Sequence, residues 1–224
     1  MLINKKMFKF LFLLLTPLFL CSQVTKNGIH NYVSNNGNDI YTEFENFYNV
    51  RINREIEFES GDILEYSNDE NELGKSDSFL NFIIISDDSS KYAGYYKTKK
   101  SSGIFVKSVI IHEICHLYLR NIIDSLNTVR KEYRYESTFG SDFIEEGICE
   151  YSVIKMDELK PNYYIPTTLE DTINVKYRYG PYFVKPILDK FGFKTGIILL
   201  LKTEPPTEKE ILNPDLFYKR IKIF

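Results

Sequence analysis

The chain has 224 residues, of which 43% are hydrophobic and 26% charged, enough for one domain with a substantial core. Its 28 basic and 31 acidic side chains give a formal charge of −3 with no basic stripe, which argues against nucleic acid as a partner.

Residues 1–22 place Lys5, Lys6 and Lys9 ahead of an apolar run from Phe10 to Leu20, the pattern of an export signal and too short for a membrane span. Cleavage after Ser22 makes Gln23 the first mature residue. It removes three lysines and no acid, which takes the charge to −6. Lipidation at Cys21 is the alternative, and the bulky Leu20 before it weighs against that. The mature chain is therefore expected in the periplasm or outside the cell, held at a membrane only if Cys21 is lipidated.

Residues 24–37 are polar and Asn-rich, with too few apolar side chains to offset the ordering of their backbone. Residues 23–38 accordingly read as a disordered linker, and residues 39–224 as a single domain. From Asp39, a plausible cap, Ile40, Phe44, Phe47 and Tyr48 recur at helical spacing and predict a first helix. Residues 51–59 alternate Ile52, Ile56 and Phe58 with charged side chains, and residues 79–86 form an apolar, Ile-rich run; both read as strands. Residues 66–78 between them read as a charged loop. A turn at residues 87–90 leads to the aromatic segment 92–96, and Lys97, Lys99 and Lys100 mark a solvated loop.

Ser101 or Ser102 then caps a helix expected to run to about Asp124, apolar nearly all round and so central. It contains His112-Glu113-Ile114-Cys115-His116. At 100° per residue the two imidazoles lie about 40° apart on one face, so both can reach one cation. Glu113, about a quarter turn away, is placed to act as general base on a water at that cation. No third His follows in residues 117–124, and His30 is far off in the chain, so a carboxylate is the remaining choice for a third ligand.

Residues 143–151, Phe-Ile-Glu-Glu-Gly-Ile-Cys-Glu-Tyr, supply it. On a helix Glu146 and Glu150 share a face, while Glu145 points about 100° away, toward solvent or substrate. Glu146 is the expected ligand. Glu150 is placed to accept the free N–H of one ligand imidazole. The polar, aromatic residues 125–142 read as a loop across the cleft between the two helices. Pro161 and Pro166 bracket a further loop. Two short helices follow at 182–191 and 194–202, divided by Gly192, the first containing Pro186, and residues 208–224 add one more.

HEICH followed by EEGICEY resembles the gluzincins, and within them the aminopeptidase N-like and peptidase MA-like group, in which a short Glu-Gly helix supplies the third zinc ligand. The resemblance covers about residues 80–204 and includes Tyr177-Arg178-Tyr179-Gly180-Pro181-Tyr182-Phe183, similar to the family's Tyr-x-x-Gly-x-x-Phe helix start. It implies His112, His116 and Glu146 as zinc ligands, Glu113 as catalytic base, and Tyr177, with Tyr179 in reserve, as donor to the oxyanion. By the same resemblance, residues 92–96 are either a core strand or the edge that pairs with an extended substrate.

The expectation is thus an α+β, zincin-like domain with a small mixed sheet before the active-site helix and a mainly helical C-terminal half. It would use Zn2+ to hydrolyse a peptide or protein substrate. The alternative is a non-catalytic exported protein that keeps the scaffold for binding, with zinc structural or absent. A structural site would close its fourth position, and no further His or Cys is offered beside the motif for that. Cys115 and Cys149 each lie three residues beyond a ligand, so they are expected to meet between the two helices, as a thiol pair or as a disulfide.

Overall fold

The computed structural model describes residues 25–52, 54–65, 72–88, 90–91, 102–157, 166–172 and 174–223. The expected export signal with Cys21, the aromatic segment 92–96, Ser101, and Pro161, Tyr163 and Tyr164 of a further expected loop lie outside the described residues.

The first helix, α1, spans Lys26–Tyr48, so residues 26–38 of the segment read as a disordered linker are helical. Ile29, Val33, Gly37, Ile40 and Phe44 are buried along it, spaced four, four, three and four apart. That stripe runs unbroken from the Asn-rich stretch into the helix expected at Asp39, and its burial offsets the ordering of the polar half. Thr25 caps it, its hydroxyl accepting from Gly28 N at 3.1 Å.

The sheet has three strands in the order β1-β3-β2: β1, Glu57–Gly61; β2, Gly74–Asp77; and β3, Phe82–Ser86. β1 runs parallel to β3, with Glu57 opposite Phe82, and β2 antiparallel, with Gly74 opposite Ile85. The sheet is therefore mixed, and β3, buried at every position, is its centre. β1 is shorter than the alternation predicted. β2 lies inside the segment read as a charged loop, because Gly-Lys-Ser-Asp has no hydrophobic alternation and is a strand only through its pairing.

The remaining elements are helical. α2, Ser102–Ser125, is the central helix. α3, Lys131–Arg134, is a single turn inside the expected loop. α4, Phe139–Met156, begins at a capping box in which Thr138 and Ser141 satisfy each other's backbone N–H. A π-helical turn, Asn174–Tyr179, leads into α5, Gly180–Phe191, which runs through Pro186. Gly192, at φ 79°, separates it from α6, Phe193–Lys202. Two short helices follow in place of the single one expected: α7, Glu208–Leu212, and α8, Pro214–Arg220. Asn213-Pro214 makes the break, since proline opens a helix better than it continues one.

The overall architecture is α+β, with the small sheet ahead of the central helix. Phe193 ties α6 to the others, its ring stacked 3.7 Å from Tyr48, 5.8 Å from Tyr118 and 6.5 Å from Tyr151 between centroids. Among the described residues no helix is long and apolar enough to cross a membrane.

Candidate metal centre

α2 and α4 cross so that His112, His116 and Glu146 converge. His116 Nε2 lies 3.0 Å from His112 Nε2, and Glu146 Oε2 lies 3.1 Å from His112 Nε2 and 3.6 Å from His116 Nε2. Tetrahedral zinc with bonds of about 2.0–2.2 Å to nitrogen and oxygen sets ligand spacings of about 3.3–3.6 Å, so the triangle is of the right size for one such ion. Glu146 Oε2 is sealed from solvent and aligned for a hydrogen bond with neither imidazole, despite its closeness to both. A buried carboxylate oxygen in that condition fits a cation better than it fits a hydrogen.

His112 Nδ1 lies 3.1 Å from Glu150 Oε1. A carboxylate only accepts, so Nδ1 carries the hydrogen, and the neutral ring would keep its Nε2 lone pair on the side of Glu146. Glu150 thus sits where it can accept the N–H of one imidazole, the placement expected of it. The charges are tightly coupled. Burial works against the His112 and His116 imidazoliums, but Glu146, joined at His112 by Glu150, raises both pKa values, that of His116 to about 9. Burial works against the Glu146 carboxylate too, yet the two imidazoles hold it well below the usual carboxylate range.

A second donor set overlaps the first: the two imidazoles and Cys149 Sγ lie within 4.8 Å of one another. Cys149 is the weaker candidate, because burial pushes its thiol well up and the S–H is donated to Cys115. The two cysteines thus meet between the helices as expected, as free buried thiols, and Ser152 Oγ–H also donates to Cys115 Sγ at 3.3 Å.

Glu113 is 6% exposed and lies against β2. A Cβ on Gly74 would sit 2.6 Å from Val109 Cγ1 and 2.9 Å from Glu113 Cγ, so only glycine lets the strand pass this close to the helix. Ser76, two residues on, donates its hydroxyl to the Glu113 carboxylate, whose pKa burial nonetheless raises.

On the far side, α4 and α5 touch backbone to backbone at Gly147 and Gly180, where a Cβ on either would lie under 3 Å from the other's main chain. That contact brings the π-helical turn beside Glu146. Tyr177 projects from the turn into the cleft, 39% exposed, its ring centroid 6.0 Å from that of His112. Tyr179, the reserve candidate, is 7% exposed and packs 6.0 Å from Phe143, so it belongs to the core. His30 is remote from the centre, with Nδ1 3.0 Å from Ser60 Oγ.

These groups open on a cleft of about 750 Å³, walled by β2 on one side and by α4 and Tyr177 on the other. Tyr133 and Glu145 also line it. The sequence reading assigned no role to Tyr133, which no local pattern marks, since it sits on an isolated turn far from both motifs. No family model, curated protein or solved structure matches this chain.

Proposed function

We propose that this chain is an exported zinc metallopeptidase of gluzincin type on a zincin-like fold, with His112, His116 and Glu146 as ligands. The observation that carries the reading is the triangle of His112 Nε2, His116 Nε2 and Glu146 Oε2, with spacings of 3.0, 3.1 and 3.6 Å, beside a buried Glu113 in a substrate-sized cleft. Zinc bound there would polarise the scissile carbonyl and lower the pKa of a water.

The chain's own residues do the rest. Glu113 takes the proton of the attacking water and returns it to the leaving amine; a carboxylate whose pKa is raised by burial suits both steps. Ser76 fixes the orientation of that carboxylate from the adjacent strand. Glu150 keeps the His112 ring in the tautomer that leaves Nε2 free for the metal. Tyr177, the exposed tyrosine beside His112, donates to the oxyanion of the tetrahedral species.

The test pairs metal analysis with turnover. The purified chain is expected to hold one zinc and to cleave a denatured protein substrate, and Glu113→Gln to hold the zinc without cleaving. Full zinc in Glu146→Ala would overturn the ligand set. Equal turnover by Glu113→Gln and the unaltered chain would remove Glu113 as base. Zinc held without cleavage by the unaltered chain would favour the non-catalytic scaffold.

A further inference from the structure

One carboxylate in the cleft lacks a counter-ion. Glu145 precedes Glu146 on α4, turned about 100° from it and facing the cleft. Among the described residues it makes neither an ion pair nor a hydrogen bond. Arg120 is near enough to act on it through space, but its guanidinium is engaged with Asp124 at 3.4 Å. Lys176 is held by Asp142 at 3.0 Å.

Tyr133 is a second, independent sign in the same part of the cleft. It is 5% exposed and lines the cavity, and its Oη is sealed from solvent with no hydrogen-bond partner among the described residues. Glu145 is the charge that acts on it most strongly. A buried hydroxyl beside a half-buried, unpaired carboxylate is a costly arrangement that a cationic donor relieves. Leu117 and Ile123 supply apolar wall to the same cleft, which suits a charged head carried on a methylene stem.

We propose that Glu145 and Tyr133 form a specificity subsite for the lysine or arginine side chain of a peptide, next to the bond held at the metal centre. The inference rests on the peptidase reading for the nature of its ligand. An N-terminal amine, the other cation a peptide offers, has no stem to lie along Leu117 and Ile123.

The experiment measures binding, by calorimetry, to zinc-loaded Glu113→Gln protein. The probes are acetyl-Ala-Ala-Xaa-Ala-Ala-amide with Xaa as lysine, norleucine or glutamate, so that no free amine terminus is present. The lysine peptide is expected to bind at least about tenfold tighter than norleucine, with glutamate weakest. Adding Glu145→Gln should bring lysine and norleucine within about twofold while zinc stays at one per chain, and adding Tyr133→Phe should narrow the ratio in part. Equal binding of lysine and norleucine by Glu113→Gln alone would overturn the subsite and leave the peptidase reading standing, as would a tenfold ratio that survives Glu145→Gln. Failure of all three peptides to bind the zinc-loaded protein would overturn both.

Discussion

Glu145 and Glu146 are adjacent carboxylates that their neighbours hold in opposite conditions: two imidazoles keep Glu146 ionised, while burial without a partner lifts Glu145 to about 7. Removing each should therefore have different effects. Glu146→Ala, like His112→Ala and His116→Ala, should lose most of its zinc, and Glu145→Ala should keep it. Glu150→Ala should weaken zinc by about 10- to 100-fold, read by competition with a chromophoric chelator, because His112 then loses the acceptor that fixes its tautomer. The tyrosines divide in the same way. Tyr177→Phe should lower turnover more than it raises KM, the sign of a group that acts in the transition state. Tyr179→Phe should leave turnover unchanged, because its ring is packed in the core; a loss from Tyr179→Phe alone would reverse the assignment. The residues of the candidate metal centre were legible as a cluster because both motifs use helical spacing, which turns sequence separation directly into angle. Tyr133 was not, because its place in the cleft is set by tertiary packing alone.

At the scale of elements, the centre depends on how closely α4 meets its neighbours. A Cβ on Gly180 would lie 2.9 Å from Gly147 Cα and 3.2 Å from Phe143 O, so Gly180→Ala must push α5 away from α4. The expected cost is about 1–3 kcal/mol in denaturant unfolding, with turnover falling more than zinc affinity, since Tyr177 moves with α5 while the three ligands do not. Unchanged stability would mean that the helices part freely at this contact. The same two helices are joined through Asp189, which accepts from Tyr151 Oη at 2.6 Å and pairs with Lys155 and Lys185. Burial opposes its charge, but these partners prevail and bring the Asp189 pKa down to about 2. The folded value is the lower one, so this stability is present above about pH 4 and fades as the pH falls toward 2. At 35% side-chain exposure solvent screens much of it, leaving about 1 kcal/mol. Asp189→Asn should show its deficit at pH 7 and lose it near pH 2. Periodicity revealed α2, α4 and the second half of α1 but hid the first half of α1 and the strand β2. The first half of α1 was masked by the asparagines on its exposed face, and Gly37 is where Phe58 packs against the helix. β2 carries no apolar pattern at all, so only its pairing with β3 reveals it.

For the whole molecule, the question is whether the proposed zinc would help build the fold or be added to it. A zinc finger has too little core to fold without its ion. Here α2 and α4 are already joined by fully buried Ile114, Cys115, Ile148 and Cys149, and by the aromatic cluster around Phe193. The fold should therefore survive loss of the metal with a lower melting temperature. Zinc at a thousandfold excess over Kd adds about 4 kcal/mol by mass action. For a chain of this size each kcal/mol moves Tm by about 2–4 °C, so chelation should lower Tm by about 8–16 °C. The helical circular dichroism at 25 °C should remain. Glu146→Ala should start near the lower Tm and respond little to added zinc, because two imidazoles alone hold the ion weakly. Collapse of the helical signal on chelation would make the ion part of the fold. An unaltered chain whose Tm ignores both zinc and chelator would have no metal centre between these helices, and the peptidase reading would fall with it.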